Sequence, residues 1–391
     1  MSFDLRILEA VADVPAAAWD ALRAHEPARA SPFVRHAFLD ACEQSGCAER
    51  AGFSPRHLTL WRDGRLVAAA PAYVKDGWEG DFSRDWEWAE AARRAGLRFH
   101  PKLCLTVPFT PCTGRRLLVA AGEDRPAAVA ALVAGARALA EEERLGGIQV
   151  LFPLPEEAEA LAGLGLAPRL DFQYHWANVG YRTFDDFLGR FSSKRRNQLR
   201  RERAAPAREG IEIATLRGAP LAGEARALAR DFEDLHRGTV DRMAWGMRWV
   251  DRAFFERLLR AMPDAVEVVQ ATRAGRRIAA AFNLASETHL YGRYWGCREE
   301  HPFLHFNVCL YHSVDECIRR GARVFEGGAG GEHKLSRGFE PAETWSSHLY
   351  LDARLDAAVR RHLAEELPAR RAALSRWLAD APVLRRAGGA G

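Results

Sequence analysis

The run "VEVVQATRAGRRIAAAFNLA", residues 266–285, sets two strand-like stretches on either side of a turn signal, Ala274-Gly275. That arrangement predicts an antiparallel hairpin. The same order occurs earlier in "HLTLWRDGRLVAAAPAYV", residues 57–74, where Asp63-Gly64 is the turn and an Ala-rich run again follows. Upstream of the two hairpins lie "FVRHAFLDACEQ" from Phe33 and "WVDRAFFERLLRAM" from Trp249, whose apolar residues fall three and four apart, as on one helix face. Downstream, "PAAVAALVAGARALAEEER" runs into "GGIQVLFP", and "HFNVCLYHSVDECIRRG" runs into "ARVFEGG", each a helix followed by a strand. Helix, hairpin, helix, strand therefore occurs twice, which predicts a duplicated α/β module. Chance likeness of Ala-rich strands is the plainer alternative, and the shared element order weighs against it. The expected domains are 1–179 and 180–365, with 366–391 as a helix end and flexible tail.

Composition agrees with two folded domains, since 391 residues exceed the usual size of one core and 48% are hydrophobic. The formal charge of +4, from 56 basic and 52 acidic residues, is too balanced to mark a nucleic-acid binder, so any basic surface must be local. Nowhere do about 18 uncharged apolar residues run together, and the start, "MSFDLRILEAVADVP", lacks a basic leader with an apolar core. No membrane span and a cytoplasmic location are expected. Seven cysteines without C-x-x-C pairs read as buried thiols rather than a disulfide framework or a zinc site. Only four of the basic residues are lysine: Lys75, Lys102, Lys194 and Lys334. Against so strong an arginine bias, lysine marks places where a compact ammonium cannot be exchanged for a planar guanidinium.

Lys334 lies in "FEGGAGGEHKLSRGF", residues 325–339. Glycines after a strand permit positive φ and close backbone approach to a carbonyl or phosphate. Lys334 is a candidate cation beside a developing oxyanion, and His333 or Glu332 a candidate base; an ion pair closing a loop is the plainer reading. Before the second hairpin, "TFDDFLGRFSSKRRNQLRRER" offers Thr183 and Asp186 at capping-box spacing and Ser192 or Ser193 as a second cap. From Arg190 to Arg203 there are seven basic residues and one acid, Glu202. Arg196, Arg200 and Arg203 share a helical face, either a solvated one or a stripe for phosphates. Arg293, Tyr294 and Trp295 should alternate on a strand, with Tyr294 and Arg293 as candidate substrate-binding residues. His305 and Asn307 open the next helix and are candidates for orienting a substrate. His312 and Glu316 at i and i+4 read as a surface pair rather than metal ligands.

Taken together, "WAEAARRAGLRFHPKL", "VPFTPCTGRRLL", "DFQYHWAN", "DDFLGRFSSKRRNQLRRER", "GRYWGC", "LHFNVCLY" and "GAGGEHKLSRGF" resemble the FemAB-like predicted N-acyltransferases of the GNAT superfamily, over roughly residues 30–350. The resemblance implies an α/β fold of two tandem GNAT-like domains, each a mixed, mostly antiparallel sheet flanked by helices. It implies transfer of an acyl or aminoacyl group to an amine, with no metal and no tightly bound cofactor. "HKLSRGF" is similar to the Phe-Lys-x-x-Phe-Gly pattern of the Fem ligases, which places Lys334 at their reaction-centre lysine; Arg337 in the same stretch is a candidate substrate-binding residue. The chain departs from the family pattern at Asn307, Gly330 and Leu310, where glutamate, glutamine and tyrosine are the rule. In the first half, "PFTPCTGRRLL" is similar to a Fem segment that makes Thr113 and Gly114 candidate acceptor contacts.

The superfamily's CoA fingerprint, R/Q-x-x-G-x-G/A, is missing where "CREEHPFLHF" stands. That favours aminoacyl-tRNA as co-substrate, with Arg195, Arg196 and Arg200 on its phosphates and a small-molecule or peptide amine as acceptor. Acyl-CoA held by an atypical loop, or a non-catalytic binder of RNA or cell-wall precursor, are the alternatives. The oligomeric state is not legible.

Overall fold

The computed structural model describes residues 3–26, 31–243 and 246–379, with Glu332, Leu378 and Ala379 described in backbone only. Fifteen strands occur among them. The first eight are β1 Asp4–Leu8, β2 Phe53–Pro55, β3 His57–Arg62, β4 Arg65–Ala70, β5 Ala72–Lys75, β6 Lys102–Leu105, β7 Leu118–Val119 and β8 Gly147–Leu151. They are followed by β9 Ala167–Ala177, β10 Ile211–Arg217, β11 Val266–Arg273, β12 Arg276–Ala285, β13 His289–Cys297, β14 Val324–Glu326 and β15 Glu340–Tyr350.

Both predicted hairpins form, β3 with β4 and β11 with β12. Their turn residues all have positive φ: 51° and 74° at Asp63 and Gly64, 48° and 76° at Ala274 and Gly275. A two-residue turn of this kind matches the twist of the paired strands, which is why it recurs. The duplication extends to a defect in the ladder. In the first hairpin Val67 is the unpaired extra residue, since Trp61 faces Leu66 and Leu60 faces Ala68. In the second, Ile278 holds the same place, since Thr272 faces Arg277 and Ala271 faces Ala279. Matching bulges argue for repetition more strongly than Ala-rich composition does.

The chain forms two compact units, and their bounds differ from the expected ones. The first joins 1–171 to 343–372, and the second joins 172–342 to 373–391. The expected breaks at 179/180 and 365/366 assumed contiguous domains; instead the chain changes unit inside β9, inside β15 and inside helix Ala353–Ala379. The tail beyond residue 379 lies outside the described residues.

In the first unit β1, β3, β4 and β7 make one antiparallel sheet. A second layer runs β2, β5, β6, β8, with β8 flanked by residues 346–350 of β15. Helix Arg125–Glu142 covers an aliphatic core of residues such as Leu58, Val67, Leu132 and Ile148. In the second unit the order is β10, β11, β12, β13, β14, and then residues 175–177 of β9. All neighbours there are antiparallel except β13 and β14. Its core is aromatic, with Trp176, Phe187, Phe191, Phe325 and Phe339 among the buried rings. The capping box forms: Thr183 Oγ1 accepts from the Asp186 N–H at 3.1 Å, and an Asp186 oxygen accepts from the Thr183 N–H at 2.9 Å. Ser192 caps the arginine-rich helix Ser193–Arg208.

Candidate active site

β13 and β14 pair over three residues only, 289–291 with 324–326. Beyond them β13 continues to Cys297, whereas the chain after Glu326 turns away through Gly327, Gly328, Ala329, Gly330 and Gly331. Gly328, Gly330 and Gly331 sit at φ 80°, 73° and 91°, a region that residues with a Cβ rarely adopt. A 3₁₀ turn, Glu332–Arg337, follows. A Cβ on Gly327 would lie 3.3 Å from Lys334 Cε, so the lysine stem runs along the glycine turn.

Lys334 is 6% exposed. Its ammonium donates to the carbonyls of Gly328 at 2.8 Å and Gly330 at 2.7 Å. An ammonium has three N–H donors, so one is left for a ligand. Among the described residues no carboxylate pairs with it, and only neutral dipoles offset its charge. Burial lowers its pKa to about 8, opposed by the nearby Cys309 thiol.

Partly exposed rings flank this lysine. The His333 ring is exposed, 5.4 Å from Phe306 and 6.3 Å from His305. His305 in turn meets Trp295 edge-on at 5.1 Å. Desolvation, then the charges of Lys334 and Arg337, lower the pKa of His333 and keep its imidazole neutral near pH 7. Phe306 leads into a π-helical turn, Asn307–Tyr311, of the kind found most often at functional sites.

Behind the lysine turn lies a charged knot centred on Glu202, which is 2% exposed. Its carboxylate accepts from Arg337 at 3.0 Å, from Gln198 at 3.0 Å and, by a short bond, from the Tyr311 hydroxyl. Arg195 lies 3.6 Å away. Arg337 also donates to the Tyr311 hydroxyl at 2.8 Å and to the His333 carbonyl at 3.0 Å, and its guanidinium covers the Phe306 ring at 3.4 Å. Burial and the bond to Glu202 raise the Tyr311 phenol, which therefore stays protonated as a donor.

Several sequence expectations are corrected by this geometry. Asn307 is buried, and its amide N–H groups go to the carbonyls of Glu202 at 2.9 Å and Phe303 at 3.0 Å, so neither donor is left to orient a substrate. Arg337 is likewise buried with its donors engaged inside the protein. Tyr294 packs into the core against Phe255 at 5.4 Å and His236 at 5.6 Å, on the opposite side of the sheet from Trp295. Arg293 is the extra residue of a bulge, because Tyr294 faces Phe282 while Gly292 faces Asn283.

Arg195 turns inward and donates to the Ser336 carbonyl at 2.7 Å and hydroxyl at 3.1 Å. On the expected arginine face, Arg203 binds Asp315 and covers Phe184, and Arg200 reaches Asp185 at 3.1 Å on the surface. Arg196 is half-exposed beside Ser193. The Glu332 side chain lies outside the described residues. Thr113 and Gly114 belong to the first unit, where the Gly114 N–H donates to Phe152 O at 3.1 Å. His312 bonds Thr215 at 2.9 Å.

The structure thus gathers Lys334, His333 and His305 and adds Trp295, Phe306, Tyr311 and Glu202. Sequence reasoning passed over Glu202, although a lone acid among seven basic residues was a usable signal.

Among solved structures the fold is similar to FemX, at 12% identity over 89% of this chain and 98% of that one, with a TM-score of 0.54. It is also similar to the C-terminal domain of a protein from Agrobacterium fabrum described as a lysylphosphatidylglycerol synthetase, at 12% identity over 88% and 96%, with a TM-score of 0.52. A tandem GNAT protein from the clavulanic acid biosynthesis pathway matches at 13% identity over 89% and 98%, with a TM-score of 0.44. Among curated proteins none matches. The FemAB-like description, peptidoglycan biosynthesis/recognition, fits residues 10–385, nearly the whole chain, and the protein belongs to that family.

Proposed function

We propose that the chain is an N-acyltransferase that moves an aminoacyl or acyl group from an activated donor to an amine, with Lys334 at the reaction centre. The observation that carries this reading is the buried Lys334 ammonium, bound by two glycine carbonyls and by no described carboxylate. Such a cation is ready-made for the charge that appears on the carbonyl oxygen during acyl transfer.

The incoming ammonium loses a proton to the neutral imidazole of His333, and the free amine attacks the donor carbonyl carbon. The third N–H of Lys334 takes up the oxyanion. The carbon–oxygen bond of a tRNA ester, or the carbon–sulfur bond of a thioester, then breaks as the carbonyl re-forms. The leaving oxygen or sulfur takes the proton from His333, the attacking nitrogen gives its second proton to the freed imidazole and from there to water, and an amide remains. Aminoacyl-tRNA is the favoured donor because no glycine fingerprint for a pyrophosphate precedes the helix that starts at Leu304. The outward residues Lys194, Arg200 and Arg201 are available for its phosphates.

The test is transfer of a labelled amino acid to amines by the full chain. Ribonuclease-sensitive transfer supports the tRNA donor, and transfer that needs acyl-CoA instead moves the proposal to the thioester. Lys334→Ala should lower turnover about 10²–10³-fold. Because the ammonium titrates at about 8, the rate should fall as pH rises through that value. Unchanged turnover in Lys334→Ala refutes the assignment.

A further inference from the structure

We infer that Glu202 is the positioning residue of the reaction centre: its buried carboxylate fixes the Glu332–Arg337 turn, and with it Lys334, by gripping Arg337 and Tyr311 at once. The inference rests on Lys334 as the reaction centre, but Glu202 itself touches no reacting atom.

Three elements meet at this one carboxylate. Helix Ser193–Arg208 supplies Glu202, Gln198 and Arg195; the π-helical turn supplies Tyr311; the 3₁₀ turn supplies Arg337. The backbone is tied in as well, since Asn307 donates to the Glu202 carbonyl at 2.9 Å. Arg195 closes the circuit from the helix to the turn through the Ser336 carbonyl and hydroxyl. The turn that carries Lys334 needs such an anchor. Its glycines have many accessible conformations, and backbone bonds such as Lys334 N–H to Gly331 O at 3.0 Å and Gly338 N–H to Leu335 O at 3.1 Å tie the turn to itself rather than to a neighbouring element. Arg337 converts the buried anion into a fixed position for the turn, because its planar fork reaches Glu202, Tyr311 and the His333 carbonyl together. Two arginines share one carboxylate, so removing it leaves the buried Arg337 charge and the half-buried Arg195 charge without their common counter-ion.

The test is Glu202→Gln, a change that keeps shape and removes the anion. Turnover should fall about 10- to 100-fold while KM for the amine stays within about two-fold, as expected when a reacting group is displaced by an ångström or so. Glu202→Asp, which keeps the charge on a shorter arm, should recover part of the loss. A second readout does not depend on activity. With 13C-labelled lysine the chain gives only four Cε signals, and Lys334→Arg identifies the one that matters. In Glu202→Gln the Lys334 signal should titrate at least one pH unit higher than in the parent, because a released turn exposes the amine.

Should Glu202→Gln fail to fold, Tyr311→Phe removes one of the carboxylate's partners and should shift the same signal in the same direction by a smaller amount. An unchanged Lys334 titration in a folded variant overturns the inference, even if turnover drops. A shifted titration with no change in turnover leaves the anchor standing and refutes Lys334 as the reaction centre instead.

Discussion

Lys102 and Lys334 are both buried, one in each unit, and they are held in opposite ways. Lys102 donates to Asp85 at 2.6 Å, both side chains fully buried, and Gln149 and Ser83 complete the carboxylate's shell. That ammonium is neutralised. Lys334 has carbonyl dipoles for partners and keeps a net charge at the edge of a turn.

The parallel strand pairs beside them differ in the same sense. In the first unit, Leu151 and Phe152, just beyond the residues of β8 that pair with β6, receive donors from Arg116 and Gly114 at 2.9 and 3.1 Å. Arg116 also binds the carbonyls of Gly114 and Cys112, so the chain's own guanidinium closes that end. In the second unit the corresponding end is a glycine turn carrying Lys334. The repeat was built twice from one pattern, but among the described residues the first lysine is paired with a carboxylate and the second with carbonyl dipoles.

The comparison predicts a graded set of stability effects. The largest belongs to Lys102→Ala, which strands a buried Asp85 charge and should cost roughly 3–5 kcal/mol in urea unfolding. A midpoint near that of the parent would break the contrast.

Next comes Asp81, which is 2% exposed. One of its oxygens accepts from Ser83 N–H at 2.9 Å and lies 3.0 Å from the Ser83 hydroxyl oxygen, while the other has no hydrogen-bond partner among the described residues. Burial raises its pKa to about 6, opposed chiefly by Lys102. A carboxyl whose pKa is raised by folding contributes stability that is full below its unfolded pKa and is lost as pH rises to the folded value. Asp81→Asn should therefore gain on the order of 2 kcal/mol at pH 8 relative to the parent, with little gain at pH 4. Equal gains at both pH values would show that the charge is not the cause.

The smallest effect is expected at Lys334→Ala. Gly330 is exposed, so water can replace the lost donor, and stability should change by less than about 1 kcal/mol while turnover collapses. A large loss of stability instead would make Lys334 a structural lysine like Lys102.

The scarcity of lysine pointed to places where an ammonium cannot be exchanged for a guanidinium; Lys75, Lys102 and Lys334 are buried, and Lys194 is exposed. Rarity marked burial, not chemistry. Lys75 shows why, since it too donates to two carbonyls, Ala51 at 2.8 Å and Asp76 at 2.7 Å, but packs over Phe53 and has Asp81 and Glu79 near. Arg195 and Arg203 were read on an exposed arginine run because helical spacing records which residues share a face, not what lies opposite. The part of the helix that faces the lysine turn is decided by residues more than a hundred positions away.

What the sequence determined by itself is local: two hairpins with positive-φ turns, their flanking helices, the caps at Thr183 and Ser192, and the glycine turn that presents Lys334. Each is fixed by neighbours a few residues apart, through backbone sterics and short hydrogen bonds. The burial of Glu202, the engagement of the Asn307 and Arg337 donors inside the protein, and the passage of β9 and β15 between units were decided only in the tertiary structure. These depend on which distant groups desolvate one another, and desolvation is a property of the packed whole.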